Sequence, residues 1–105
     1  MADYLQVSTA TETREQAVAL AQSAVRSRLA AGAQVVGPVI SVFWHAGEYG
    51  TGEEYRILFK TSAARYPELE AHLVERHPWE NPEVCATPIV AGAAPCLEWI
   101  DHSVS

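Results

Sequence analysis

QVVGPVISVFWHAGEYGTGEEYRILFKT, residues 34–61, is the stretch that decides the fold. Its first half carries Val35, Val36, Val39, Ile40, Val42, Phe43 and Trp44, β-branched or aromatic side chains that favour a pleated, half-buried surface. Gly37-Pro38 inside that run predicts a bulge or bend. Gly47, Gly50 and Gly52 predict a turn over residues 47–52. The apolar pattern then returns as Tyr55, Ile57, Leu58 and Phe59. Too few residues separate the two runs for a helical crossover, so they form one long antiparallel hairpin.

Upstream, Leu5, Val7 and Thr9 alternate with Gln6 and Ser8, which predicts a strand over 5–10. Thr13-Arg14-Glu15-Gln16 fits a capping box. Ala17, Leu20, Ala21, Ala24, Val25 and Leu29 follow on one helical face, and Gly32 reads as the left-handed stop of that helix. Downstream, Pro67 suits a first helical turn, and Tyr66, Leu69, Leu73 and Arg76 share a face. His77-Pro78 ends this second helix. Residues 84–90 predict another strand, confined by Pro88 to an edge. Ala94-Pro95 opens a short last helix carrying Leu97 and Ile100. The order strand, helix, strand, strand, helix, strand is the ferredoxin-like α+β arrangement, here as a single domain over 1–105 with a long β-hairpin and a short C-terminal helix.

Composition narrows the function classes. The chain has 105 residues and a net charge of −6, from 13 acids against 7 bases. That disfavours nucleic acid and anionic membrane as partners, since both reward basic surfaces. No stretch approaches the ~20 apolar residues that cross a bilayer. Met1-Ala2-Asp3-Tyr4 has no basic run leading into an apolar one, so no signal peptide is expected. With only Cys85 and Cys96, a disulfide scaffold is not expected either; free thiols and a cytoplasmic location are. A domain this small gains core by assembling with copies of itself.

Six blocks carry a resemblance: Arg28-Leu29-Ala30-Ala31, Ser41-Val42-Phe43, Lys60-Thr61, His77-Pro78-Trp79-Glu80-Asn81-Pro82-Glu83-Val84, Pro88-Ile89 and Leu97-Glu98-Trp99-Ile100. In order and spacing they are similar to the CutA family of divalent-cation tolerance proteins. The resemblance implies a ferredoxin-like subunit in a compact homotrimer like the PII signalling proteins, with hairpins extending sheets across subunit boundaries. It implies a role in divalent-cation tolerance, with copper or another divalent cation as the bound ion. It also implies a cleft between subunits where the strand aromatics, the His-Pro loop and the start of the last helix approach one another. Phe43, Trp44, His45, Lys60, His77, Trp79, Glu80, Cys96 and Trp99 are the expected cleft residues.

The chain departs from the family pattern at several of those positions. Gly32 stands where the family carries a cysteine, a soft ligand suited to copper(I). His45 stands where the family has tryptophan, which here is displaced to Trp44, on the other face of the strand. Cys96 and Trp79 each replace a tyrosine, and Tyr49-Gly50-Thr51-Gly52 replaces an acidic run. These departures gather on the expected cleft. An alternative reading is therefore a divergent enzyme or small-molecule-binding protein that uses it.

The loop 77–83 is the segment richest in reactive side chains. Two prolines stiffen it and hold His77, Glu80 and Glu83 in fixed relation. Imidazole beside carboxylates suits zinc or copper(II), making these three the expected metal ligands; as a structural junction, the same groups would instead satisfy backbone. If the chain is an enzyme, His45, His77, Glu80 and Cys96 are the expected acid, base or nucleophile. Cys96, near a helix start, is the more reactive thiol in prospect, though packing as an inert thiol is the simpler expectation. Cys85 is expected in the core and His72 in solvent, with His102 unremarkable in the last helix or tail. No phosphate-cradling glycine loop, paired-cysteine zinc motif or nucleophilic serine setting is present.

Overall fold

In the computed structural model, which describes residues 3–105, the chain runs β1 (Tyr4–Thr11), α1 (Arg14–Arg26), β2 (Gly32–His45), β3 (Glu48–Ser62), α2 (Tyr66–Arg76), β4 (Cys85–Pro88) and α3 (Ala94–Val104). Met1 and Ala2, part of the signal-peptide reading, lie outside the described residues. The four strands form one antiparallel sheet in the order β2-β3-β1-β4. This is the ferredoxin-like arrangement expected.

Register decides which side chains meet the helices. Val7 pairs with Phe59 and Thr9 with Ile57, so these four share one face. On that face Val7, Ile57 and Phe59 pack with Ala17, Leu20, Ala21 and Ala24 of α1 and Leu69 and Leu73 of α2. Full burial of each large aliphatic or phenyl side chain there stabilises the fold by about 1.5–3 kcal/mol. Small alanines along α1 let it lie close to the sheet. The capping box forms as expected: Gln16 N–H donates to Thr13 Oγ1 and Thr13 N–H to Gln16 Oε1, both at 3.2 Å.

The other face carries Gln6, Arg56, Leu58 and Lys60. α3 reaches it at one end. The Tyr4 phenol donates to the Asp101 carboxylate at 2.6 Å, and the Trp99 ring lies over Gly32. Arg65 Nε–H donates to the Val104 carbonyl at 2.7 Å, and Ile100 and Val104 are buried.

Several expectations are corrected. Gly32 is not the stop of α1. The helix ends at Arg26, and Arg28 takes the left-handed position at φ 59°. Leu29 N–H donates to the Ala24 carbonyl and Arg28 N–H to that of Val25, a Schellman pair completed without glycine. Gly32 opens β2 instead, where a Cβ would stand 3.0 Å from the Trp99 ring. The hairpin turn is not 47–52 but the two residues Ala46 and Gly47, both at positive φ as a tight two-residue hairpin requires. Gly50 and Gly52 belong to the β3 ladder, opposite Phe43 and Ser41. The expected bulge at Gly37-Pro38 is present, as a register shift between Val36 and Val39.

β4 spans four residues rather than seven, because Pro88 has no N–H to continue the ladder; a single Ile89 N–H bond to the Tyr4 carbonyl follows it. Its residues are exposed, Cys85 among them, so Cys85 is not core; Cys96 is exposed as well, not packed away. His72 is half-buried rather than solvated, its Nε2 2.8 Å from Ser23 Oγ, which ties α2 to α1.

One consequence of length matters for the site. β1 pairs with β3 only as far as Thr11 and Tyr55, while β2 and β3 continue to His45 and Glu48. The hairpin over 39–54 therefore projects past the rest of the sheet. It raises the radius of gyration to 14.1 Å, against about 13 Å for a compact chain of this length.

Candidate functional site

The projecting hairpin and the loop after α2 enclose an open groove of about 1060 Å³. Its floor is the sheet face turned away from α1 and α2, at Ala10 and Arg56. One wall is the hairpin, with Ser41, Val42, Phe43, Trp44, His45 and Glu54. The other is the loop, with Trp79, Glu80, Asn81 and Glu83.

The loop is held by three polar contacts. The His77 ring is buried, with Nε2 2.7 Å from the Ala10 carbonyl oxygen. Its Nδ1 accepts from Trp79 N–H at 3.0 Å. An Nδ1 that accepts leaves the proton on Nε2, which donates to Ala10. Burial pushes the His77 pKa below the usual imidazole value, and the bond to Ala10 opposes this in part. Arg56 supplies the third contact: its Nη2 donates to Glu83 Oε1 at 2.9 Å and to Ser8 Oγ at 3.2 Å. A half-exposed ion pair of this kind adds only ~0–1 kcal/mol, so its effect is to position Glu83 rather than to stabilise the fold.

The expected cleft residues separate into two groups. Phe43, Trp44, His45, Trp79 and Glu80 line the groove, with Glu83 beside them. His77 lies beneath the wall, its ring centroid 5.0 Å from that of Trp79, with both nitrogens occupied by backbone. Lys60, Cys96 and Trp99 do not line this groove. Lys60 pairs with Gly32 across the sheet, its Nζ 3.5 Å from Gln6 Oε1, and Trp99 covers Gly32 from α3. Cys96 is exposed in the first turn of α3.

Of the expected metal ligands, Glu80 and Glu83 face the groove, while His77 has no free nitrogen lone pair in this arrangement. Among the described residues no three His, Cys, Asp or Glu side chains are grouped to hold a metal ion. Glu54 and Arg56 were not anticipated at the site. The strand alternation of β3 puts residues 54 and 56 on the same face as Lys60, which the resemblance had named. Glu54 accepts from the Ser41 hydroxyl at 2.7 Å. Glu80 is exposed, and no helix among the described residues is long and apolar enough to cross a membrane.

Comparison with known proteins gives this architecture a family. A divalent-cation tolerance protein CutA of Archaeoglobus fulgidus is 30% identical over 86% of this chain and 87% of its own length. A chloroplastic CutA 1 of rice is 33% identical over 86% of this chain, but the chain spans only 51% of that protein. The crystal structure of CutA1 from Oryza sativa superposes with a TM-score of 0.94 at 30% identity, covering 99% of this chain and 95% of that one. The family model for the CutA1 divalent ion tolerance protein matches residues 5–103, and the chain belongs to that family.

Proposed function

We infer that the protein works as a homotrimer in divalent-cation tolerance, binding a divalent cation, copper first among them, or a small molecule at clefts where one chain's groove meets its neighbour. The observation that carries this reading is the projecting hairpin. Ile40, Trp44 and Tyr49 are 81%, 76% and 65% exposed on it, and a two-stranded ribbon with uncovered apolar side chains is marginal in water. A neighbouring chain would cover them. Lys60, Cys96 and Trp99 then belong to the facing wall that the neighbour supplies.

In this reading the cation site draws on more than one subunit. His45, Glu80 and Glu83 are the groove's candidates to contribute to it. The groove's size and aromatic lining also favour the small-molecule reading, in which His45 and Glu80 are the candidate acid–base pair. A cytoplasmic location belongs to the same proposal, supported by the two unpaired thiols.

Calorimetric titration of the purified protein with copper(II) and zinc tests the cation reading. Stoichiometric binding that is lost in His45→Ala and Glu80→Gln supports it. No binding below millimolar metal removes it.

A further inference from the structure

The loop 78–83 is tied to the rest of the chain through few groups. Pro78 and Pro82 have no N–H to give. Among the described residues, Trp79 N–H is the one backbone N–H of 78–83 with a hydrogen-bond acceptor, and that acceptor is His77 Nδ1 at 3.0 Å. At the loop's far end Glu83 meets Arg56 at 2.9 Å, a half-exposed pair that contributes little. The buried imidazole is therefore the latch of the near half of the loop.

Both partners of that ring are backbone groups whose roles cannot change. Trp79 N–H only donates and the Ala10 carbonyl only accepts, so neutral imidazole, with one donor and one acceptor nitrogen, satisfies both. Imidazolium has two donors. It keeps the Ala10 bond, which the charge strengthens, and turns a second N–H toward Trp79 N–H. The bond to the loop is the one that breaks. The charged groups around the ring do not offset this. α2 brings Glu75 and Arg76, the loop Glu80 and Glu83, the segment after β1 Glu12, and β3 Arg56, which lies opposite Ala10 and is engaged by Glu83. None of them is among the causes of the lowered His77 pKa, which are burial and, opposing it, the Ala10 bond.

We propose that protonation of His77 unlatches residues 78–83, so that mild acid moves Trp79 and Glu80 away from the end of β1 while the rest of the fold stays intact. This adds a regulation to the groove wall; its consequence for a ligand, though not the latch itself, rests on reading the groove as a ligand site.

The test is nitrogen–proton NMR of the intact labelled protein, with no ligand added, from about pH 7.5 to about pH 5, following the His72 and His77 ring signals and the backbone amides. The Trp79 amide should lose about tenfold or more of its protection from hydrogen exchange, with the midpoint of the His77 ring, while the amides of β1 and β3 keep theirs. His72→Gln should leave that transition in place. His77→Asn, whose Oδ1 stands near the Nδ1 position and does not titrate, should keep the Trp79 amide protected across the range. His77→Gln, which can still donate to Ala10 but offers no acceptor at Nδ1, should leave it unprotected across the range. If the His77 variants do not fold, the wild-type midpoints decide. A loop transition that follows His72, a loss of protection shared by the whole sheet, or a His77 ring that titrates while the Trp79 amide stays protected overturns the proposal. So does a His77 ring that stays neutral down to about pH 5. No ligand takes part, so an unmoved loop overturns the latch without touching the cation reading, and a loop that moves supports it whether or not metal binds.

Discussion

His77 Nε2 lies 2.7 Å from the Ala10 carbonyl oxygen, and this bond seals the bare edge of β1. β4 pairs with β1 only from Leu5 to Ser8, so Ala10 has no strand partner on that side. The buried imidazole takes the partner's place and, through Nδ1, fixes the Trp79 N–H that starts the groove wall. The histidine thereby links the end of a strand to the shape of the site.

His77→Ala is expected to destabilise the fold by about 2 kcal/mol, because it strands a buried carbonyl and opens a cavity. Urea unfolding followed by circular dichroism measures it. A loss no larger than that of an exposed-residue control such as His102→Ala would contradict the role assigned to this bond.

Stability should fall as the medium is acidified from pH 7.5 to 5.5. The pKa of His77 is lowered chiefly by burial, and that of His72 by burial and then by the Arg76 charge, with Glu75 opposing. A base whose folded pKa lies below its unfolded value of 6.5 binds more protons when unfolded. Its contribution is complete above that value and is lost as pH falls from there through the lower folded pKa. Melting temperatures across the range, in the wild type and in a His72→Gln/His77→Gln double variant, should show a slope that the variant lacks.

Thr9→Val should raise stability by about 1 kcal/mol, since the Thr9 hydroxyl is buried with no hydrogen-bond partner and valine keeps its shape. Thr61, whose hydroxyl donates to the Leu29 carbonyl at 2.7 Å, is the control: Thr61→Val should destabilise.

Gly32→Ala should lower the melting temperature and disturb the Trp99 indole, because the added Cβ stands 3.0 Å from that ring. A double-mutant cycle with Trp99→Leu should recover most of the loss. Cysteine, the residue expected at this position from the family pattern, would meet the same ring.

Much of this architecture was legible because local and tertiary preferences agree. The β-branched run from Val35 to Val42 has no competing helical period, and the Thr13–Gln16 box marks its helix start without ambiguity. The misplacements arise where one residue type has two uses. Gly50 and Gly52 suggested a turn, yet they serve the β3 ladder while Ala46 and Gly47 turn the chain. Gly32 suggested a helix stop, yet its lack of a side chain makes room for Trp99, sixty-seven positions away and invisible to local pattern. The loop 77–83 stood out for its chemistry, but only the tertiary contact with Ala10 shows His77 turned inward and Glu80 outward. Arg56 escaped notice because nothing local distinguishes it from any strand arginine; its meaning comes from Glu83 and Ser8.

The central claim is that the projecting hairpins are covered by neighbouring copies, leaving the groove at each junction. Sedimentation equilibrium of the purified chain tests it most directly. The expected result is one species at three times the 11.4 kDa chain mass, shifted toward smaller species by Ile40→Asp. A single 11.4 kDa species across the concentration range would contradict it.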